Sequence, residues 1–169
     1  MDEAKDKDTA ESCPVCGMRT EDWTGNHSAE YHKMYFHFCS EQCRDTFQAH
    51  PALYSSKRAK AAGEIIKSRR LRLATSLDSQ AAATVCAGLQ QLMGLKDAQV
   101  DGRWLKLRYD LLQLTLLQIE NALCRMDVSL DDGWWQRQRR SWAREAESNE
   151  LDNLASSPAA CCNRPPPGT

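Results

Sequence analysis

Two close pairs of cysteines carry the clearest chemical signal in this chain. Cys13-Pro14-Val15-Cys16-Gly17-Met18 precedes a hydrophilic loop, and Tyr35-Phe36-His37-Phe38-Cys39-Ser40-Glu41-Gln42-Cys43 follows it. Four thiolates at such spacing suit a tetrahedral site for a soft metal ion. The two-residue gap lets the sulfurs of Cys13 and Cys16 turn inward from one tight turn. Pro14 supplies the restricted backbone and Gly17 the permissive backbone that such a turn needs. The three-residue gap puts Cys39 and Cys43 one helical turn apart on a single face. Ser40 is suited to cap a helix beginning there. On the first turn of that helix, free N–H groups favour thiolate over thiol.

The whole-chain properties fit such a site. The 169 residues allow one ordinary domain or two small ones, and the net charge of −1 gives no global field for nucleic acid or membrane. The mean hydropathy of −0.63 is that of a soluble chain. No apolar run approaches the roughly 18 to 20 residues that cross a bilayer. Met1-Asp2-Glu3-Ala4-Lys5-Asp6-Lys7-Asp8 lacks the apolar centre of a secretory signal, so a cytoplasmic location is expected. In that reducing compartment eight cysteines point to metal rather than to disulfides.

The elements that must position the cysteines follow from pattern. Residues 1–12 read as a charged, disordered tail. Within 13–54, Tyr31 to Phe38 reads as a strand, and Tyr35, Phe36, Phe38, Phe47 and Tyr54 as a small core. So small a unit buries little apolar surface and draws much of its folding free energy from metal. Residues 55–68 read as a basic helical linker. From Arg69 the pattern is strand, helix, strand, strand, helix, strand. Arg70 to Leu73 alternates. Asp78 and Ser79 cap a helix along Ala82, Val85, Cys86, Leu89 and Met93 that Gly94 ends. Ala98 to Val100 meets Leu105 to Tyr109 across Asp101-Gly102, residues 111–124 form a second helix, and Met126, Val128 and Leu130 alternate again. That order over 69–131 is the ferredoxin-like βαββαβ plan.

An amphipathic helix is expected over 132–147. Trp135, Arg139 and Trp142 share one face of it, for packing on the sheet, for a partner helix, or for peripheral membrane contact through 134–144. Residues 148–169 read as a disordered tail carrying Cys161-Cys162, a pair able to chelate a soft ion. Cys86 and Cys124 read as packing residues, Met18 and Met34 as core by default, and His37 as an ordinary strand histidine.

Cys-Pro-Val-Cys-Gly-Met, an aromatic strand, Phe-Cys-Ser-x-x-Cys, then Phe47 and His50-Pro51-Ala52-Leu53-Tyr54 resemble a YHS domain. That family is similar to the TRASH metal-binding domains, whose three cysteines fall here on Cys16, Cys39 and Cys43. Many YHS sequences have Asp where this chain has Cys13, so three or four thiolates are available. The resemblance implies a small treble-clef or zinc-ribbon-like unit binding Cu(I), Zn(II) or another soft heavy metal. Leu89 to Asp101 and Leu105 to Asp110 resemble the heavy-metal-associated domains of copper chaperones and metal-pumping ATPases. Their metal loop is missing here, because Ala74-Thr75-Ser76-Leu77-Asp78-Ser79-Gln80-Ala81 holds no cysteine.

The expected fold class is therefore α+β, a small cysteine unit followed by a ferredoxin-like unit. The expected function is a metallochaperone or buffer, not an enzyme, that delivers its ion to a metal-transporting P-type ATPase or related transporter domain. No nucleic-acid partner is expected. Two other readings compete: a regulatory module with a structural Zn(II), and an iron–sulfur redox protein.

Overall fold

In the computed structural model, which describes residues 12–19, 27–56 and 58–156, the aromatic stretch expected as one strand folds as a hairpin. Strand β1 (Ser28–Tyr31) pairs antiparallel with β2 (Met34–His37). Between them His32 and Lys33 both hold positive φ, 51° and 63°, the backbone that a two-residue hairpin turn demands. Helix α1 (Glu41–Ala49) starts at Ser40, whose Oγ accepts a hydrogen bond from the Cys43 N–H at 3.3 Å, as the sequence predicts. Helix α2 (Pro51–Ser55) opens on proline, which has no N–H to leave unsatisfied there. Phe47 is the hub of this half. Its ring centroid lies 4.7 Å from Phe36, 5.0 Å from Phe38 and 6.3 Å from Tyr54. Tyr35, expected in this core, is 70% exposed, because β2 turns that side chain to solvent.

The linker expected as helix over 55–68 divides. Helix α3 (Arg58–Ala62) takes its middle, and β3 (Ile66–Arg72) begins before residue 69. Next come α4 (Ser79–Leu89), capped by the Asp78 carboxylate, then β4 (Leu95–Asp101) and β5 (Trp104–Asp110). Helix α5 (Leu116–Arg125) begins at residue 116 rather than 111, where Thr115 and Gln118 form a capping box. The sheet is antiparallel in the order β3-β5-β4. Leu71, Ala98, Leu105, Leu107 and Tyr109 face a core closed by Val85 and Leu89 of α4 and Leu116, Ile119 and Leu123 of α5. Gly94, at φ 89°, links α4 to β4. A Cβ there would sit 2.6 Å from Gln113 Cβ, so only glycine fits.

The fourth strand expected at 126–130 does not form. Only an isolated bridge joins Leu73 to Leu130. Asp127 turns the chain at φ 57°, and Met126 and Val128 pack on the core as the chain leaves α5. The last helix, α6 (Trp134–Ala155), runs well past the expected end at 147, so 148–155 is not a disordered tail. Glu147, Leu151 and Leu154 lie on one side of it and face buried partners. Trp134, Trp135 and Trp142 remain more than half exposed. Among the described residues no helix is long and apolar enough to cross a membrane.

The two halves share a core. Leu111, Leu112 and Leu151 pack with Phe38, Phe47, Leu53 and Tyr54 of the cysteine half. Gln42 spans the seam. Its side chain donates to the carbonyls of Met93 (2.8 Å) and Gln113 (3.1 Å) and accepts from the Met93 N–H (3.0 Å). Tyr54 donates to the Leu112 carbonyl at 2.7 Å.

Candidate metal centre

Two local structures bring the thiols together. The first is a tight loop in which the Cys13 N–H donates to the Met18 carbonyl and the Gly17 N–H to the Cys13 carbonyl, both at 2.8 Å. Gly17 holds φ 74° and lets the chain reverse just after Cys16. The second is the junction of β2 and α1, where Cys39 leaves the hairpin and Cys43 sits on the first turn of the helix.

Sγ of Cys16 lies 3.4 Å from Sγ of Cys39, and Sγ of Cys39 lies 3.6 Å from Sγ of Cys43. All four sulfurs lie within 4.8 Å of one another. A tetrahedral ion with metal–sulfur bonds of about 2.3 Å separates its sulfurs by about 3.8 Å. The cluster is therefore of the right size, and none of its thiols is spent in a disulfide. Cys13 and Cys43 are fully buried, while Cys16 and Cys39 are half-buried. Beside Cys16 a cavity of about 210 Å³ opens between the Cys13–Gly17 loop, Lys60 and Glu64.

Proton sharing within the cluster is uneven. Hydrogen bonds from Cys16 and Cys43 hold Cys13 far below the ordinary thiol value. The same bonds, seen from the donors, push Cys16 up to about 12 and Cys43 higher still, with burial adding to both. The cluster thus favours a thiolate at Cys13 and protonated thiols at Cys16 and Cys43. A metal ion would displace those protons on binding.

All four cysteines singled out by spacing meet here. Among the described residues no histidine or carboxylate joins them. His37 is exposed on β2, and His50 pairs with Asp152 at 2.9 Å. Met18 and Met34, expected in the core, are 51% and 53% exposed. Cys86 packs partly against the core, as expected, whereas Cys124 lies exposed on α5. Cys161 and Cys162 lie outside the described residues. Leu112, expected to face inward from the second helix, is buried but precedes that helix and packs on the cysteine half, while Gln42 carried no signal in the sequence, since its partners are distant in the chain.

Residues 12–58 match the family model of the YHS domain. The matched segment holds all four thiols, the hairpin, α1 and α2, and ends before β3. Its family likeness and its sulfur geometry agree on a site for a soft metal ion. No curated protein and no solved structure matches the chain.

Proposed function

We propose that this protein is a cytoplasmic metallochaperone or buffer that carries a soft metal ion, Cu(I) foremost, on Cys13, Cys16, Cys39 and Cys43. The observation that carries this reading is the uneven burial of the four ligands. Cys13 and Cys43 are sealed in the core, while Cys16 and Cys39 reach the surface, Cys16 beside an open cavity. Among the described residues, that is the side from which an incoming thiolate can approach. As it joins the ion, Cys16 or Cys39 leaves, so the cargo passes by ligand exchange without a free intermediate. The receiver in this reading is a thiol site on a metal-transporting ATPase or a related transporter domain.

The second half has the strand order of a ferredoxin-like domain for its first three strands, with the fourth cut to one bridge. Its α4 start, Leu77 to Ala81, holds no thiol. In this reading it is a docking platform rather than a second metal site. A structural Zn(II) remains the competing role, favoured by the place of Cys13 and Cys43 in the hydrophobic core.

Anaerobic Cu(I) competition against a chromophoric chelator, together with exchange of the purified protein's own metal, separates the two. Tight but exchangeable Cu(I), lost with the Cys16 and Cys39 thiols, is the expected result. One Zn(II) that does not exchange, with no copper affinity, would overturn the carrier reading.

A further inference from the structure

A second site lies away from the cysteines, between the outer edge of β3 and the first half of α6. Here a cavity of about 220 Å³ is lined by five arginines, Arg69, Arg70, Arg72, Arg139 and Arg140, and by no carboxylate. Ser68 and Gln136 add further donors to the wall. The missing fourth strand leaves this edge open. The Leu73 N–H reaches the Arg103 carbonyl and the Leu111 N–H reaches the Ile65 carbonyl, so odd-numbered residues of β3 turn their backbone toward β5. Ser68 and Arg70 therefore present their backbone polar groups outward along the cavity wall.

Three of the arginines have acidic partners outside the cavity. Arg69 meets Glu147 at 3.1 Å, Arg72 meets Asp131 at 3.2 Å, and Arg140 meets Asp132 at 3.4 Å and Glu120 at 3.5 Å. The other two make no ion pair among the described residues. The Arg70 guanidinium stacks 4.0 Å from the Trp104 ring centroid, and Arg139 is exposed. Arg70 and Arg139 thus bring positive charge to the cavity wall that no carboxylate among the described residues answers, and an anion placed there would be attracted to it. Guanidinium forks match phosphate oxygens two at a time. The volume lies below the usual range for drug-sized ligands and suits a small anionic group.

We propose that this cavity binds a phosphate group, borne by a soluble metabolite or by a lipid headgroup. Arg70 and Arg139 supply the uncompensated charge, and Arg72, Arg140 and Ser68 orient the oxygens. The proposal is independent of the metal site.

The test measures binding of inorganic pyrophosphate by calorimetry, and of phosphatidylcholine vesicles with and without phosphatidic acid by co-sedimentation, in about 0.15 M salt, where exposed charges are largely screened. The proteins are the wild type, Arg70→Gln with Arg139→Gln, and Arg108→Gln, whose side chain does not line the cavity. The expected result is binding of at least one probe by the wild type, weakened tenfold or more in the double variant and unchanged in Arg108→Gln. Pyrophosphate binding without vesicle binding assigns a soluble ligand. Vesicle binding that needs phosphatidic acid and both arginines assigns a lipid headgroup. If neither probe binds, or if binding survives the double variant, the proposal is overturned. Should circular dichroism show the double variant unfolded, the single Arg139→Gln variant takes its place, since Arg139 holds no ion pair.

Discussion

Sγ of Cys16 and Sγ of Cys39 lie 3.4 Å apart although one belongs to an isolated loop and the other to the end of a hairpin. The bridge from Ser12 to Arg19 closes that loop on itself, and Val15 packs into the aromatic cluster. The thiols thus fasten the loop to the hairpin and α1 together with the burial of Val15.

Replacing both Cys39 and Cys43 with Ser should therefore abolish stoichiometric metal and loosen residues 12–56. The sheet and α5 have a core of their own and should stay folded. Metal analysis and hydrogen exchange check this. Unchanged metal content, or loss of protection in β5 and α5 equal to that in α1, would contradict it.

Gln42 ties α1 to the second half through three hydrogen bonds. Gln42→Ala leaves the Met93 N–H and two carbonyls without that partner, at a cost of about 2 kcal/mol. Urea unfolding should show this loss of stability. The two halves should still unfold together, because the shared core, the Tyr54 hydrogen bond to Leu112 and the Gln118 hydrogen bond to Thr46 continue to couple them.

Glu147 is 2% exposed and accepts hydrogen bonds from the Tyr109 hydroxyl, the Leu116 N–H (2.8 Å) and Arg69 (3.1 Å). It anchors α6 across the sheet. Glu147→Ala strands a buried hydroxyl, the first N–H of α5 and a guanidinium. Removing one partner of such a buried pair costs roughly 3 to 5 kcal/mol. The expected outcome is a lower unfolding midpoint and fast hydrogen exchange throughout α6. A near-neutral effect would contradict the anchoring role.

Alkali should destabilise the fold through two phenols. Burial raises Tyr54 above its ordinary value of 10.0, and burial with the Glu147 hydrogen bond raises Tyr109. A raised folded-state value means that the stability from each neutral phenol is fully present below pH 10 and is lost as pH climbs through the raised values. Unfolding free energy should thus fall above about pH 10. Tyr54→Phe should lose the Leu112 hydrogen bond, about 1 kcal/mol, and show a shallower alkaline decline.

What was legible in the sequence was local. The cysteine gaps and the Ser40 and Asp78 caps each state their geometry within a few residues and appear in the structure, and the hairpin expected at Asp101-Gly102 turns one residue later, on Gly102 and Arg103. The His32-Lys33 turn was not legible, because neither residue is the glycine or asparagine that usually marks positive φ. Met126, Val128 and Leu130 alternate like a strand, yet Met126 and Val128 pack against the core as the chain leaves α5. The length of α6 depends on Tyr109, Leu116 and the aromatic cluster, partners far away in sequence. Long-range pairing of this kind leaves no periodic trace in a polar segment.

X-ray absorption at the edge of the bound metal, on protein loaded anaerobically, reads the ligands of the ion. The expected result is a shell of sulfur alone, with four scatterers at about 2.3 Å if the ion is tetrahedral zinc. One sulfur should be lost in Cys16→Ser. A shell dominated by nitrogen or oxygen, or a sulfur count unaffected by that substitution, would contradict a site built from Cys13, Cys16, Cys39 and Cys43.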